Sequence, residues 1–90
     1  MQDEIIVIGD WDNEQSTSLR LQDFVSGGES FIPIFSDEQQ FRRQVRGSGF
    51  EGKGVAIDRN LLHSLLRGDE LLILNPGDSN PVRMRKADIA

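Results

Sequence analysis

The stretch Phe31-Ile-Pro-Ile-Phe-Ser-Asp-Glu-Gln-Gln-Phe-Arg-Arg-Gln-Val-Arg-Gly47 decides the fold class, because a strand pattern passes there directly into a helix pattern. Residues 31–35 are all apolar, which predicts a strand. Pro33 has no N–H to donate, so we expect it at the edge of a sheet or at an interrupted ladder. The chain is therefore expected to have a mixed α and β fold.

Residues 36–47 carry helix signals at both ends. Ser36 is expected to cap the first turn, with Gln39 completing a capping box. Phe41 and Val45 are four residues apart and predict the buried side of the helix. Gly47 can adopt the left-handed conformation that commonly ends a helix.

The rest of the chain predicts five more strands and a second helix. Apolar or alternating runs predict strands at 4–8, 19–22, 55–57, 71–74 and 82–85. Asp58 is the expected cap of a second helix, which carries leucines at helical spacing and ends at Gly68. The predicted order is β-β-β-α-β-α-β-β. We expect one small α+β domain over residues 1–90, with a mixed, mainly antiparallel sheet and two short helices packed on it.

The composition excludes several classes of protein. The chain has 90 residues, a net charge of −5 and no cysteine, so disulfides, thiolate catalysis, zinc ribbons and persulfide transfer are excluded. Its longest aliphatic runs, Ile5–Ile8 and Leu71–Leu74, are far shorter than the roughly 20 residues of a membrane helix. We expect a cytoplasmic protein that contacts no membrane.

The negative charge is concentrated in the first third of the chain. Residues 1–35 carry seven acids against Arg20 alone, whereas residues 36–90 have a net charge of +1. This distribution predicts a partner protein with a basic surface and argues against nucleic acid as a ligand. The residues predicted to contact that partner are Asp10, Trp11, Asp12, Glu14 and Phe50.

Two motif-like segments do not predict a bound group. Residues 47–54 match the spacing of a dinucleotide-binding loop, but a helix is expected before them and a strand after them, the reverse of what that motif needs. Asp10, Asp12 and Glu14 alternate like calcium ligands, yet Gln15 stands where a calcium loop needs glycine. We therefore predict no metal site and no cofactor.

His63 is the single histidine and is expected on the surface, opposite the leucines of its helix. The sequence indicates no partner for it, so we predict no catalytic residues. One alternative is a small ligand-binding domain or enzyme that uses carboxylates and His63, which would need a pocket of perturbed titratable groups. Another is a structural domain that self-associates through an open sheet edge, which light scattering would detect.

Two blocks of sequence resemble the SseB N-terminal domain family, the enhanced serine sensitivity proteins of bacteria. The run at 31–41 resembles the family's Pro-x-Phe-Thr/Ser-acid-acid stretch. Residues 58–66 and 71–78 are similar to its leucine helix, apolar strand and Asn-Pro-Gly-Ser turn, with Asp78 where serine is usual.

The resemblance implies a small mixed α/β domain without established catalytic residues, and some relatives are encoded near secretion or toxin-immunity genes. Relatives are often joined to further sequence, whereas we expect a stand-alone domain. The leading hypothesis is a non-catalytic interaction or regulatory module. Inhibition of a basic toxin, as by an immunity protein, is one version of it.

Overall fold

The computed structural model describes residues 3–11 and 19–89, apart from the side chain of Trp11. These residues form seven strands and two α-helices. The strands are β1 Glu4–Trp11, β2 Leu19–Leu21, β3 Phe24–Ser26, β4 Glu29–Phe35, β5 Gly54–Asp58, β6 Leu72–Leu74 and β7 Val82–Met84. The helices are α1 Glu38–Val45 and α2 Arg59–Leu65, and a 3₁₀ helix spans Lys86–Asp88. No helix in the described ranges is long and apolar enough to cross a membrane.

The α+β class and the element order are confirmed, with β3 as an additional strand. β1 pairs antiparallel with β5, β4 and β2, while β3 and β4 form a hairpin. β4 pairs in parallel with β6, which pairs antiparallel with β7. The sheet is thus mixed and mainly antiparallel, as predicted. Gly27 and Gly28 both have positive φ in the turn that connects β3 to β4.

Pro33 lies inside the sheet, and the ladder is interrupted beside it. β4 is flanked by β1 and β6, so of the two expected positions for Pro33 the structure has the interrupted ladder and not the sheet edge. The ladder between β1 and β4 contains only Ile6 opposite Phe35 and Val7 opposite Ile34. The next carbonyl of β1, at Ile8, accepts from the N–H of Gln22 instead. The missing N–H of Pro33 therefore falls where β1 has already changed partners.

The sheet carries a hydrophobic cluster on each face, because successive side chains of β1 point to opposite sides. On the face covered by α2, Ile5 and Val7 lie in a core with Leu62 and Leu66. On the other face, the buried residues are Ile8, Phe35, Phe41 and Val45. The prediction that Phe41 and Val45 form the buried side of α1 is confirmed.

The helix ends follow the sequence prediction except at the start of α1 and the end of α2. Asp37, not Ser36, caps this helix, and its side chain accepts from the N–H of Gln40 at 2.8 Å. Asp58 caps α2 as predicted, accepting from the N–H of Leu61 at 2.7 Å. Gly47 has the expected left-handed conformation beyond α1, with φ of 78°. The second helix ends at Leu65, three residues before the predicted Gly68.

Candidate functional site

The structure brings two of the predicted partner-binding residues to one surface depression. Asp10 at the end of β1 and Phe50 before β5 both line a cavity of about 310 Å³. Trp11 ends β1 opposite Leu19, but its side chain is outside the described part of the structure. Asp12 and Glu14 also lie outside the described residues. Their role in partner binding stays a prediction.

Several acids of the first third are paired with bases from the rest of the chain. The Lys53 ammonium lies 3.1 Å from an Asp10 carboxylate oxygen. Arg83 donates to Glu29 at 2.7 Å, and this hydrogen bond lowers the pKa of Glu29 below its ordinary value. Part of the negative charge counted in the sequence is therefore neutralised locally. The sequence could not show this, because each partner is more than forty residues away.

Phe50 is half-buried in a row of aromatic rings. Its ring centroid lies 5.3 Å from that of Phe24, which makes an edge contact with Phe31 at 6.1 Å. These contacts attach the glycine-rich loop to the β3–β4 hairpin. Phe50 thus contributes to packing and still lines the depression beside Asp10.

The glycine-rich loop binds a carboxylate of its own chain. Glu51 accepts from the N–H groups of Gly47 at 3.0 Å and Gly49 at 2.7 Å. Its own backbone N–H and these two donors lower the pKa of Glu51. Two N–H groups of the glycine-rich loop are therefore occupied by a carboxylate of the same chain.

A second depression, the acidic groove, lies between the first turn of α1 and the β1–β5 part of the sheet. It has a volume of about 450 Å³, and its charged lining residues are Glu4, Asp37, Glu38, Arg42 and Glu51. Arg42 donates to Glu38 at 2.6 Å, so the one cation is already paired. The groove therefore carries a net negative charge.

Sequence reasoning missed the acidic groove. The residues 37 and 38 were interpreted only as the acidic start of a helix, although they also form one wall. The other walls come from residues 4–6 and 51–56, which are distant in sequence. A signal was nevertheless present, since Gly54 and Ala56 are unusually small for a strand: Gly54 makes room for the Phe41 ring, and the methyl group of Ala56 fills little of the groove.

The two sequence blocks singled out above are hydrogen-bonded to each other. Asn75 accepts from the N–H of Ser36 and donates to its hydroxyl, both at 3.1 Å. The N–H of Asn75 also donates to the carbonyl of Ile34 at 2.8 Å. On the far side of the turn, Gln44 of α1 accepts from the N–H of Gly77 at 2.7 Å. Hydrogen bonds therefore join the turn after β6 to the end of β4 and to α1.

The comparison with protein families agrees with this geometry. A family model described as the SseB protein N-terminal domain matches residues 1–90. The chain belongs to the SseB N-terminal domain family. Neither a curated protein nor a solved structure matches it at a significant level.

The residues that carry the family resemblance are structural in this SseB domain. Ser36 and Asn75 join the ends of the parallel strands β4 and β6. Asn75 has φ of 52°, and Gln44 fixes the following turn. Their contacts explain why the two blocks occur together, since each supplies hydrogen-bond partners for the other.

His63 of the SseB domain is half-buried on α2, not fully exposed as expected. Its imidazole has no hydrogen-bond partner among residues 3–11 and 19–89. It lines neither the acidic groove nor the depression beside Asp10. Residues 3–11 and 19–89 contain no group of three or more histidine, aspartate or glutamate side chains that could hold a metal ion.

Proposed function

We propose that this SseB domain is a non-catalytic interaction module that binds the basic surface of a partner protein. The acidic groove is the observation that carries the proposal, because carboxylates outnumber cations in a concave surface. A concave, negatively charged surface attracts a basic partner over distances of several ångströms and raises the association rate. Inhibition of a cationic toxin is one version of this function.

The distribution of charge over the whole domain supports the proposal. The net charge is −5, and none of the described charged residues is buried. The carboxylates that are not paired with a base are therefore accessible to an approaching protein. The second expected contact region consists of Asp10, Trp11, Asp12, Glu14 and Phe50, of which Asp10 and Phe50 line the depression beside the end of β1.

Affinity purification from the native host over a series of salt concentrations tests for such a partner. The rate of association with the purified partner is then compared between two variants. Asp12→Asn/Glu14→Gln removes two charges from the sequence segment that follows β1, leaving the paired Asp10 intact. Glu4→Gln/Glu38→Gln removes charge from the acidic groove. At least one variant should slow association about tenfold at low salt and flatten its salt dependence.

The matched control is Asp23→Asn/Asp69→Asn, which removes two charges from exposed residues elsewhere. It should change the association rate less than the most affected test variant. An association rate that is unchanged by salt and by all three variants would contradict the proposal. Turnover of a small molecule that is lost in His63→Ala would instead support the enzyme alternative.

A further inference from the structure

The strand β5 leaves one edge of the sheet open. Among the described residues it pairs only with β1, over Gly54–Asp58. The flanking hydrogen bonds, Gly9 N–H to Lys53 carbonyl and Arg59 N–H to Asp3 carbonyl, show which residues of this ladder face β1. Because backbone groups alternate in direction along a strand, the N–H groups of Gly54, Ala56 and Asp58 point away from β1. All three residues are exposed.

The two faces beside this edge differ in chemistry. On the α1 face, Ala56 lies opposite Ile6, and both residues line the acidic groove together with Glu4. On the α2 face, Val55 and Ile57 belong to the hydrophobic core or pack against it, and Val55 is only half-buried. A strand placed against β5 would therefore meet carboxylates on one face and apolar side chains on the other.

We infer that β5 accepts an extended segment of the basic partner as an additional strand, with basic and apolar residues in alternation. The open N–H and carbonyl groups of Gly54 and Ala56 would bond to the backbone of that segment. Since Ala56 has only a methyl group, a lysine or arginine of the segment can extend across it toward Glu4 and Glu38, beside the Phe41 ring that covers Gly54. The intervening apolar residues would lie beside Val55 and Ile57.

Charge selects this occupant over a second copy of the chain. Two β5 edges brought together would place two acidic grooves side by side, and like charges directly opposite on a sheet are unfavourable. A basic segment has the opposite effect. The inference rests on the proposed function for the charge of the partner, and adds the binding mode and the residues involved.

The first experiment uses a seven-residue peptide of alternating lysine and valine, with blocked termini, and the whole chain. A peptide of the same composition with its lysines and valines in two blocks is the control. Titration should show binding of the alternating peptide at least fivefold tighter than that of the block peptide. Hydrogen exchange at the amides of Gly54 and Ala56 should slow when the alternating peptide binds. Equal binding of the two peptides without slowed exchange would overturn the inference.

The second experiment removes one outward N–H. Ala56→Pro should retain the β1–β5 ladder, because proline is tolerated where its nitrogen faces solvent. It should weaken binding of the alternating peptide at least tenfold, whereas Ala56→Ser, which keeps the donor, should change affinity less than threefold. Urea unfolding of both variants shows whether the domain stays folded. If Ala56→Pro is unfolded, Glu4→Gln/Glu38→Gln serves as the second variant, with Asp23→Asn/Asp69→Asn as its control.

The outcomes separate this inference from the proposed function. Peptide binding that falls with salt but ignores Ala56→Pro and the alternation of the peptide overturns the strand-addition mode and leaves the proposed function standing. If association with the native partner does not depend on salt while the peptide still binds, the proposed function alone is contradicted. Self-association that disappears in Ala56→Pro, measured by light scattering, would assign the edge to a second copy and overturn the inference.

Discussion

Asn75 is the one non-glycine residue with a positive φ in the described part of the chain, and its side chain explains why asparagine stands there. The backbone angle of 52° belongs to the left-handed region, which asparagine enters more easily than other residues with a Cβ. In this conformation the amide group both accepts from and donates to Ser36. One residue thus provides the turn geometry and the link between β4 and β6.

Substitution of Asn75 should separate these two contributions. Asn75→Gly keeps the turn geometry and loses two part-buried hydrogen bonds, so we expect a loss of about 2 kcal/mol. Asn75→Ala loses the same bonds and strains the backbone, for a further loss of about 1 kcal/mol. Urea unfolding measures both. Equal stability of the two variants would show that backbone strain is unimportant at this position.

Ser36 illustrates what residue-level reasoning from sequence can miss. Its position before an apolar helix favoured a cap, and the neighbouring Asp37 has the same capability. Asp37 caps the helix, while Ser36 bonds to Asn75, thirty-nine residues away. Local pattern could identify the cap region, but the choice between two adjacent candidates depended on a residue from another segment.

At the scale of elements, the Phe41 ring of α1 packs against Phe35 of β4 and against Gly54, the one residue of β5 without a side chain. A Cβ built on Gly54 would lie 2.6 Å from Cε2 and 2.8 Å from Cζ of Phe41. The ring therefore lies directly against the backbone of β5. This contact is one of those that hold α1 against the sheet beside the acidic groove, which Phe41 and Gly54 both line.

Gly54→Ala should destabilise the domain by about 1 to 3 kcal/mol, because the added methyl group must displace the Phe41 ring and with it α1. The matched control is Gly52→Ala, since a Cβ at Gly52 meets nothing within 4 Å. That variant should change stability by less than about 0.5 kcal/mol. Urea unfolding compares them. A neutral Gly54→Ala would mean that the ring can rotate aside without moving the helix.

Most elements were predictable because their signals are local. The strand at 31–35, the helix over 38–45 and the cap at Asp58 follow from apolar periodicity and polar ends. The strand β3 was not predicted, since Phe24–Ser26 is short, and two of its residues are exposed. It forms because the turn at Gly27 and Gly28 returns the chain onto itself and β4 supplies the hydrogen bonds.

For the whole molecule, three glutamates make the free energy of unfolding decrease at acidic pH. A hydrogen bond from Arg83 lowers the pKa of Glu29, and backbone N–H groups lower that of Glu51. For Glu70, burial acts to raise the pKa, but donation from the N–H groups of Arg67 and Gly68 outweighs it. A carboxyl with a lowered folded pKa binds protons less readily in the folded than in the unfolded state. Its stabilising effect is therefore present near neutral pH and lost in acid.

As far as these groups are concerned, we expect the free energy of unfolding to change little between pH 7 and about 5. It should decrease once the pH falls below their ordinary pKa of 4.5. Urea unfolding at a series of pH values measures this. The variant Glu29→Gln/Glu51→Gln/Glu70→Gln should be less stable at pH 7 and should lose less stability on acidification. An equally steep fall in the triple variant would assign the acid sensitivity to other groups.

By itself the sequence determined the fold class, the family and most elements, because these depend on periodicity, capping residues and turn residues that act within about ten positions. Only the tertiary structure decided which charges are neutralised, that Pro33 lies within the sheet, and that the acidic groove lies beside an open strand. These features depend on side chains from distant segments meeting in space. Ion pairs and concave surfaces leave no periodic pattern in a single chain, so they emerge only when the sheet brings those segments together.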